Sequence, residues 1–400
     1  MTRAQSILSH LTRRTTSGQF IPEIDGLRFA SIALVLFFHL CGYTVAKATV
    51  GHFDGAADSF VALLGSTGHY GVQLFFVISG FVLALPFARH RLLGGSRPQL
   101  KAYYLRRLTR LEPPYIVAMV GIFVVASLFY GVSARVLASH LAASLAYLHN
   151  LVYGTGSTVN VVAWSLEVEV QFYLVAPLLA LVFFMPNWIA RRSVIVAAIA
   201  AIVLIQYIWP FGDGRLALSL AHYLQFFLLG FLLADLYLVS WQVPSRRERL
   251  WDAIGVVGWM GMFAIWMLVT KPNASFLAAA LLVFCATFRG RLVRTVFCNP
   301  WIATIGGMCY SIYLLHYPLI SALGRRTSPI AASQGFIVHL LVQMALMVPL
   351  VLIVSTVFFV SVERPCMRKD WPQRVVARFR AVWLSRTPTG PSGEPDAHSV

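Results

Sequence analysis

Two ionisable residues, Arg28 and His39, lie within the first long apolar segment of this chain. Eleven residues on an α-helix make three turns plus roughly 20°, so both side chains are expected on one face, about 16 Å apart along the axis. Charged groups at membrane depth are costly and mark functional sites by default. A guanidinium near one rim suits phosphate binding, and a deeper imidazole suits proton transfer. The alternative is that Arg28 snorkels to the lipid headgroups and His39 is a hydrogen-bonded packing residue.

A second basic pair, Arg107 and Arg110, follows Arg106 and precedes Pro113. Residues three apart share a helix face, so the two guanidinium groups are expected to point the same way. They are suited to holding phosphates. The alternative is that they anchor a membrane helix at its cytoplasmic end.

Acidic and imidazole groups are predicted nearer the opposite side of the membrane. Glu167 and Glu169 are two residues apart, so on a helix only one of them is expected to face the interior. His316 falls in the outer half of a later apolar segment. The pattern is a layered site, with cations at one rim and acid or base groups beyond them. It suits a phosphate-bearing donor from the cytoplasm and an acceptor from the other side.

The elements that must position these residues are membrane helices. The chain has 400 residues, 58% of them hydrophobic and 12% charged, with a mean hydropathy of +0.73. These values exclude a soluble globular protein and predict an all-α, polytopic helical bundle in a lipid bilayer. Ten spans are predicted at residues 29–46, 70–88, 113–134, 161–185, 193–212, 216–235, 252–270, 273–288, 301–323 and 332–360.

Basic residues set the predicted orientation. With the N-terminus in the cytoplasm, 26 of the 32 Lys and Arg residues fall on the cytoplasmic side and six on the other. The positive-inside rule therefore places both termini in the cytoplasm. It also explains the net charge of +17 without nucleic acid, which is not expected as a partner. Three regions follow: a cytoplasmic segment 1–20, a membrane domain 21–365, and a basic, then disordered cytoplasmic tail 366–400.

Smaller patterns complete the prediction. Residues 47–69 and 135–160 form long outer loops, and the second contains an amphipathic stretch that either roofs a cavity or is an ordinary surface loop. Gly71 and Gly80 are expected to permit close helix packing rather than to form a phosphate loop. The five cysteines contain no C-x-x-C pair, so neither a disulfide framework nor a metal site is expected.

The residues above resemble the acyltransferase-3 family of integral-membrane O-acyltransferases from about Ile21 to Pro365. Three departures from the family pattern are Gln73 where Asp is common, Val170 where a second Glu is frequent, and Glu167 in place of a small residue. They leave Glu169 as the acidic candidate. The similar elements are Asp25-Gly26-Leu27-Arg28 with His39, Arg107-Leu108-Thr109-Arg110, Trp164-Ser165-Leu166 with Glu169, Gln171, Phe172 and Tyr173, Tyr310 to Pro318, and Glu363-Arg364-Pro365.

The resemblance implies transfer of an acyl group, often acetyl, from cytoplasmic acyl-CoA to a hydroxyl of a glycan, a glycolipid or a secondary metabolite. Acyl-CoA would be a co-substrate, with no permanently bound cofactor, and a bacterial inner membrane is the implied location. The implied phosphate-binding residues are Arg28, Arg107 and Arg110. His39 would be the general base, aided by Glu169, while His316 and Tyr313 position the acceptor or stabilise the oxyanion and Trp164 contacts substrate.

A transporter or flippase for an acylated or glycan-linked compound is the alternative from another functional class. Buried charges would then line a transport pathway. Matched halves with Gly- or Pro-broken helices would favour that alternative, and the sequence shows no such repeat.

Overall fold

The computed structural model describes residues 8, 11–13, 20–47, 56–268, 273–331, 333–368, 371 and 373, without the side chains of residues 56–57, 266–268 and 273. These residues form helices and no strand, which confirms the all-α class. Most of the segment 1–20 and of the tail 366–400 lies outside the described residues. The predictions of a disordered tail and of cytoplasmic termini therefore stay predictions.

Sixteen α-helices are numbered here along the described part of the chain. A 3₁₀ turn precedes α7 (Val161–Ala163), and a π-helical turn ends α15 (Phe359–Glu363). The helices are α1 (Pro22–Lys47), α2 (Ala56–Ser66), α3 (Tyr70–Leu93), α4 (Leu100–Phe129), α5 (Ala134–Leu145), α6 (His149–Tyr153), α7 (Trp164–Leu179), α8 (Trp188–Ile208), α9 (Leu220–Asp235), α10 (Glu248–Leu268), α11 (Asn273–Arg289), α12 (Arg291–Phe297), α13 (Pro300–Gly307), α14 (Cys309–Thr327), α15 (Phe336–Phe358) and α16 (Arg364–Cys366).

Seven helices of the described chain are long and apolar enough to cross a membrane, or eight if one bent pair counts as a single span. The bent pair joins α11 to α12 at an angle of 89°. The predicted span 301–323 is also divided, because α13 ends at Gly307 and α14 begins at Cys309. A multi-pass membrane protein is therefore supported, while the count of ten spans stays a prediction.

Several helical segments begin earlier than the predicted spans, two of them by more than ten residues. One candidate span runs from Asp58 to Leu93 and includes both α2 and α3, so part of the predicted first outer loop is helical. Likewise, α4 begins at Leu100 and carries Pro113 and Pro114 in its interior. Arg107 and Arg110 therefore lie on α4 itself, about two and three turns after its first residue, rather than in a segment that precedes the helix.

Glycine brings α3 close to two neighbours, as the sequence predicted. A Cβ atom on Gly71 would lie 2.3 Å from the Ser31 carbonyl oxygen of α1. A Cβ atom on Gly80 would lie 2.2 Å from the Phe227 carbonyl oxygen of α9. Both distances are far below van der Waals contact, so only glycine allows these approaches. They hold α3 against both α1, which carries Arg28, and α9.

A third close approach fixes the start of α1 against α13. A Cβ atom on Gly306 would lie 1.8 Å from the Asp25 carbonyl oxygen, whereas one on the adjacent Gly307 would make ordinary contacts of 3.6 Å with Arg13. We expect Gly306→Ala to lower the free energy of unfolding by about 1–3 kcal/mol, because the backbones must separate. Gly307→Ala should have little effect. Thermal unfolding in detergent measures both, and equal shifts would contradict this packing account.

Candidate active site

Asp25 organises the basic end of the site. Its fully buried carboxylate accepts a bond from Arg28 Nη1 at 2.5 Å and another from Arg13 Nε at 2.7 Å. A buried charge needs such partners, because desolvation is costly. Two guanidinium groups share one carboxylate, so the cluster keeps an excess of positive charge. The snorkelling alternative does not describe Arg28, whose guanidinium is bound inside the protein.

An inner cavity gathers five of the eight residues that the sequence singled out. It encloses about 930 Å³ of empty space, its opening included. Residues from α1, α3, α4, α7 and α14 line it, so distant parts of the chain converge here. The five predicted residues on its wall are Arg28, Arg107, Arg110, Glu169 and Tyr313.

Arg110 presents an unsatisfied donor at this wall. Its Nε atom is buried and has no hydrogen-bond partner among the described residues. An unmade hydrogen bond on a buried charged group costs about 1–3 kcal/mol or more. The guanidinium carbon of Arg107, one turn away, lies 5.8 Å from the ring centroids of Tyr103 and Tyr173. The Arg110 donor is thus available to a ligand, and phosphate binding by the pair stays a prediction.

An arginine vestibule adjoins the inner cavity at the predicted cytoplasmic end. It encloses about 1860 Å³ of empty space, its opening included, and lies between α1, α3, α4 and the loop from Gly95 to Gln99. Arg107 and Arg110 line both spaces, and the boundary that they form is called the neck here. The arginines on the vestibule wall are Arg13, Arg89, Arg97, Arg106, Arg107 and Arg110.

The two glutamates of α7 point in different directions, as expected from their spacing. Glu169 lines the inner cavity, where its Oε1 accepts a hydrogen bond from Ser79 Oγ at 2.5 Å. Glu167 is fully buried, and its Oε2 accepts a bond from the Asn150 backbone N–H at 2.8 Å. Glu169 is therefore the carboxylate available to a ligand, and Glu167 ties α7 to α6.

His39 and His316 face each other beside the outer end of the cavity. Their ring centroids are 5.1 Å apart, and the Tyr317 ring lies 4.9 Å from His39. The Tyr313 ring, on the cavity wall, lies 5.7 Å from His316. Within the described residues, no hydrogen bond joins His39 to Glu169. Help from Glu169 to His39 stays a prediction, and the imidazole that faces His39 is that of His316.

The surroundings of His316 define which of its ring nitrogens carries a proton. Its Nδ1 atom lies 2.8 Å from the Tyr313 carbonyl oxygen and 3.0 Å from that of Ile312. A carbonyl oxygen only accepts hydrogen bonds, so Nδ1 must be the donor. In the neutral ring Nε2 is then a lone-pair acceptor. This nitrogen is buried and has no partner in the described part of the chain.

Two further predicted ligand contacts have different settings. The Tyr313 hydroxyl lies 2.5 Å from Ser165 Oγ and 3.1 Å from the Val162 carbonyl oxygen, which fixes it at the cavity wall. Trp164 packs with Phe76 and Tyr223 at centroid distances of 6.4 and 5.3 Å and is not on that wall. Its contact with substrate stays a prediction.

The segment 135–160, called the cover here, forms α5 and α6. None of its residues lines the inner cavity, so the prediction that it roofs a cavity stays a prediction. Ser144 Oγ donates to Ser157 Oγ at 2.7 Å within the cover. Asn150 Nδ2 donates to the Trp164 carbonyl at 2.8 Å, and Asn160 Nδ2 to the Leu314 carbonyl at 3.0 Å. These bonds attach the cover to α7 and α14.

Several site residues received no role from the sequence. Asp25, Glu363 and Ser165 were part of recognised patterns, but only the structure shows what they bind. Glu363 Oε2 accepts bonds from the backbone N–H and the hydroxyl of Ser311, at 3.1 and 2.5 Å, and lines the inner cavity. The other vestibule arginines, among them Arg13, Arg89 and Arg97, had no recognisable pattern, because separate stretches of chain supply them.

Comparison with known proteins supports the resemblance. The chain is 26% identical over 353 residues to the peptidoglycan O-acetyltransferase OatA of Listeria monocytogenes, covering 77% of this chain and 51% of that protein. It is 24% identical over 330 residues to the O-acetyltransferase OatA of Staphylococcus aureus strain NCTC 8325, covering 76% and 51%. The chain thus spans about half the length of these curated relatives. No solved structure shows a significant match.

The match to a protein family covers more of the chain than the match to either relative. The acyltransferase-3 family, described as an acyltransferase domain, matches residues 21–361, which include every predicted site residue. Neither this family nor the relatives' names favour the transporter alternative. The chain belongs to the acyltransferase-3 family.

Proposed function

We propose that the protein is a membrane O-acyltransferase that moves an acyl group, acetyl in the simplest case, from cytoplasmic acyl-CoA to a hydroxyl of an acceptor. The observation that carries the proposal is that the two spaces share a boundary. Arg107 and Arg110 line both the arginine vestibule and the inner cavity, so a donor bound at these two arginines would contact both spaces. Beyond that cavity lie His39 and His316, which are groups able to move a proton.

The donor end has the chemistry of a polyphosphate site. Coenzyme A carries a pyrophosphate and a 3′-phosphate, and arginine binds phosphate with paired, charge-assisted hydrogen bonds. Arg107 and Arg110 would hold phosphates at the neck, and Arg28 would bind on the inner side of it. The narrower pantetheine arm would then extend into the inner cavity, which delivers the thioester towards the outer half of the bundle.

Transfer requires one base and one donor for the developing oxyanion. His39 would take the proton of the acceptor hydroxyl while its oxygen attacks the thioester carbonyl carbon. Collapse of the tetrahedral intermediate breaks the C–S bond and releases CoA thiolate, which takes a proton. Neutral His316 presents only a lone pair at Nε2, and Tyr313 donates its one hydroxyl proton to the Val162 carbonyl, so Tyr313 would be the oxyanion donor only by turning that proton towards the substrate. His316 would instead accept a hydrogen bond from the acceptor or from His39.

A glycan is the favoured acceptor class. One relative is named for peptidoglycan, and the others for O-acetyl transfer. A glycolipid or a secondary metabolite is chemically equivalent at the hydroxyl. The basic residues favour a cytoplasmic donor side, and a bacterial inner membrane fits both the sidedness and the organisms of the relatives.

The neck arginines test the donor proposal. We expect Arg107→Gln and Arg110→Gln to raise the KM for acetyl-CoA about tenfold or more each, because each removes a charge-assisted contact worth about 1.5–3 kcal/mol. Acyl transfer and thioester cleavage by the purified protein in lipid nanodiscs give the values. Arg91→Gln is the matched control, since Arg91 packs over Phe184 and lines neither space.

Removing the donor's 3′-phosphate adds a second measurement. For the wild-type protein, the KM for acetyl-dephospho-CoA should be higher than the KM for acetyl-CoA. In the Arg89→Gln or Arg97→Gln variant, these two KM values should differ less. If the neck variants retain the wild-type KM for acetyl-CoA, the donor does not enter through the vestibule, and the proposal is wrong in this respect.

A further inference from the structure

A third space, called here the outer groove, opens on the flank of the bundle. Residues of α1, α4, α14 and α15 and of the segment 156–161 line it, and it encloses about 2580 Å³ of empty space, its opening included. It shares no lining residue with the inner cavity or the arginine vestibule. The outer groove is thus not part of the donor path.

The walls of the outer groove are mostly aliphatic along their length. On α4 the lining runs from Val117 to Tyr130, which is about 20 Å of helix. One leaflet of a bilayer core is about 15 Å thick. Gly121 of α4 widens the groove, since a Cβ atom there would meet nothing within 4 Å. A space of this length and polarity fits a hydrocarbon chain.

One end of the outer groove is cationic. Lys47 ends α1 and Arg325 lies in the last turn of α14, and both line the groove. The Arg325 guanidinium carbon lies 5.2 Å from the Tyr130 ring centroid, and the Tyr130 hydroxyl donates to the Ala322 carbonyl at 3.2 Å. Lys47 and Arg325 are two of the six basic residues on the predicted outer side. Basic residues are disfavoured on that side, so their concentration at one groove calls for an anionic partner.

Tyr317 separates the outer groove from the predicted general base. It lines the groove, and its ring lies 4.9 Å from that of His39, which is not itself on the groove wall. Ser157, Thr158 and Val159 of the cover also line the groove. A molecule held here would therefore be one side chain away from His39.

We propose that the outer groove binds the acceptor as a lipid-linked molecule, with a long hydrocarbon chain along α4 and α14 and a phosphate or pyrophosphate at Lys47 and Arg325. The acceptor enters sideways from the outer leaflet, and its hydroxyl-bearing part turns over Tyr317 towards His39. This inference rests on the proposed function for its catalytic meaning. The binding site itself can be tested separately.

Binding is tested with a long-chain isoprenoid phosphate, and the matching isoprenoid alcohol shows the contribution of the phosphate. Native mass spectrometry of the purified protein should show tighter binding of the phosphate than of the alcohol. The double variant Lys47→Ala and Arg325→Ala should bind the phosphate about thirtyfold less, since each basic residue near a membrane surface contributes about 1 kcal/mol. Arg135→Ala, an exposed outer arginine away from the groove, should bind it as the wild type does.

A second variant tests the chain-binding part. Gly121→Trp should fill the groove and reduce binding of both the phosphate and the alcohol, without the loss of folding expected in a packed core. Equal binding of phosphate and alcohol, or binding that neither variant changes, would overturn the inference. Cleavage of acetyl-CoA by the same wild-type sample tests the proposed function independently. Its absence together with groove-dependent phosphate binding would reject that function and leave the lipid site.

Discussion

His39→Ala is expected to lower kcat for acyl transfer by about 10²–10⁴-fold and to leave the KM for acyl-CoA within about twofold. General-base catalysis contributes a factor of that size, and the phosphate contacts lie on other helices and at the far end of α1. Initial rates at varied acyl-CoA concentration, with the protein in nanodiscs and amounts matched by absorbance, separate the two constants.

His222→Ala is the matched control for this change. His222 is also an intramembrane histidine, but its ring contacts are Phe211 and Tyr223, away from His39. It should retain most of the wild-type kcat. A His39 variant with more than half of the wild-type kcat would remove His39 from the chemistry. If His316→Ala then showed the large loss, the base would be His316, whose Nε2 lone pair is free.

Asp25→Ala is expected to have the largest effect on stability, about 3–5 kcal/mol. The change leaves Arg13 and Arg28 buried beside each other without their shared carboxylate, and an uncompensated buried charge costs about that much. Yield from membranes and the midpoint of thermal unfolding in detergent measure the loss. Binding of acyl-CoA should weaken as well, because Arg28 loses the contact that orients it.

Glu23→Ala provides a control on the same helix. Glu23 pairs with Arg294 at 2.8 Å, but the Arg294 side chain is 60% exposed, so solvent screens this pair. Such pairs contribute about 0–1 kcal/mol. Asp25→Asn keeps the size of the side chain and separates the loss of charge from the loss of packing. If Asp25→Ala were no more destabilising than Glu23→Ala, the carboxylate would not be the anchor of the basic cluster.

The sequence predicted the residue types at the site better than their contacts. Helical spacing and membrane depth pointed to Arg28, Arg107 and Arg110, and the family resemblance selected Glu169; the fold brings all four to one cavity. The role of Asp25 was not predictable, because its second partner, Arg13, lies in a segment with no regular pattern. The proton position on His316 depends on two backbone carbonyls, and such contacts have no signature in sequence.

The number of spans shows a different limit. Hydropathy detects apolar stretches but not bends. The sequence therefore predicted one span where the structure has two helices, α13 and α14, with a break at Met308. In α4 the prolines at positions 113 and 114 suggested a helix start, although the helix continues through them from Leu100. Tertiary packing overrides local signals of this kind. The glycine contacts of α3, by contrast, followed directly from residue size.

The most direct test of the account is transfer of label across a sealed membrane. Vesicles in which the arginine vestibule faces outward would receive labelled acetyl-CoA in the external medium, with glycan acceptor on the inside. The account predicts alkali-labile label on the enclosed acceptor. This label should be absent with the His39→Ala variant and present near the wild-type level with the His222→Ala control. Label on the enclosed acceptor that is equal in wild type and His39→Ala, or none in either, would contradict it.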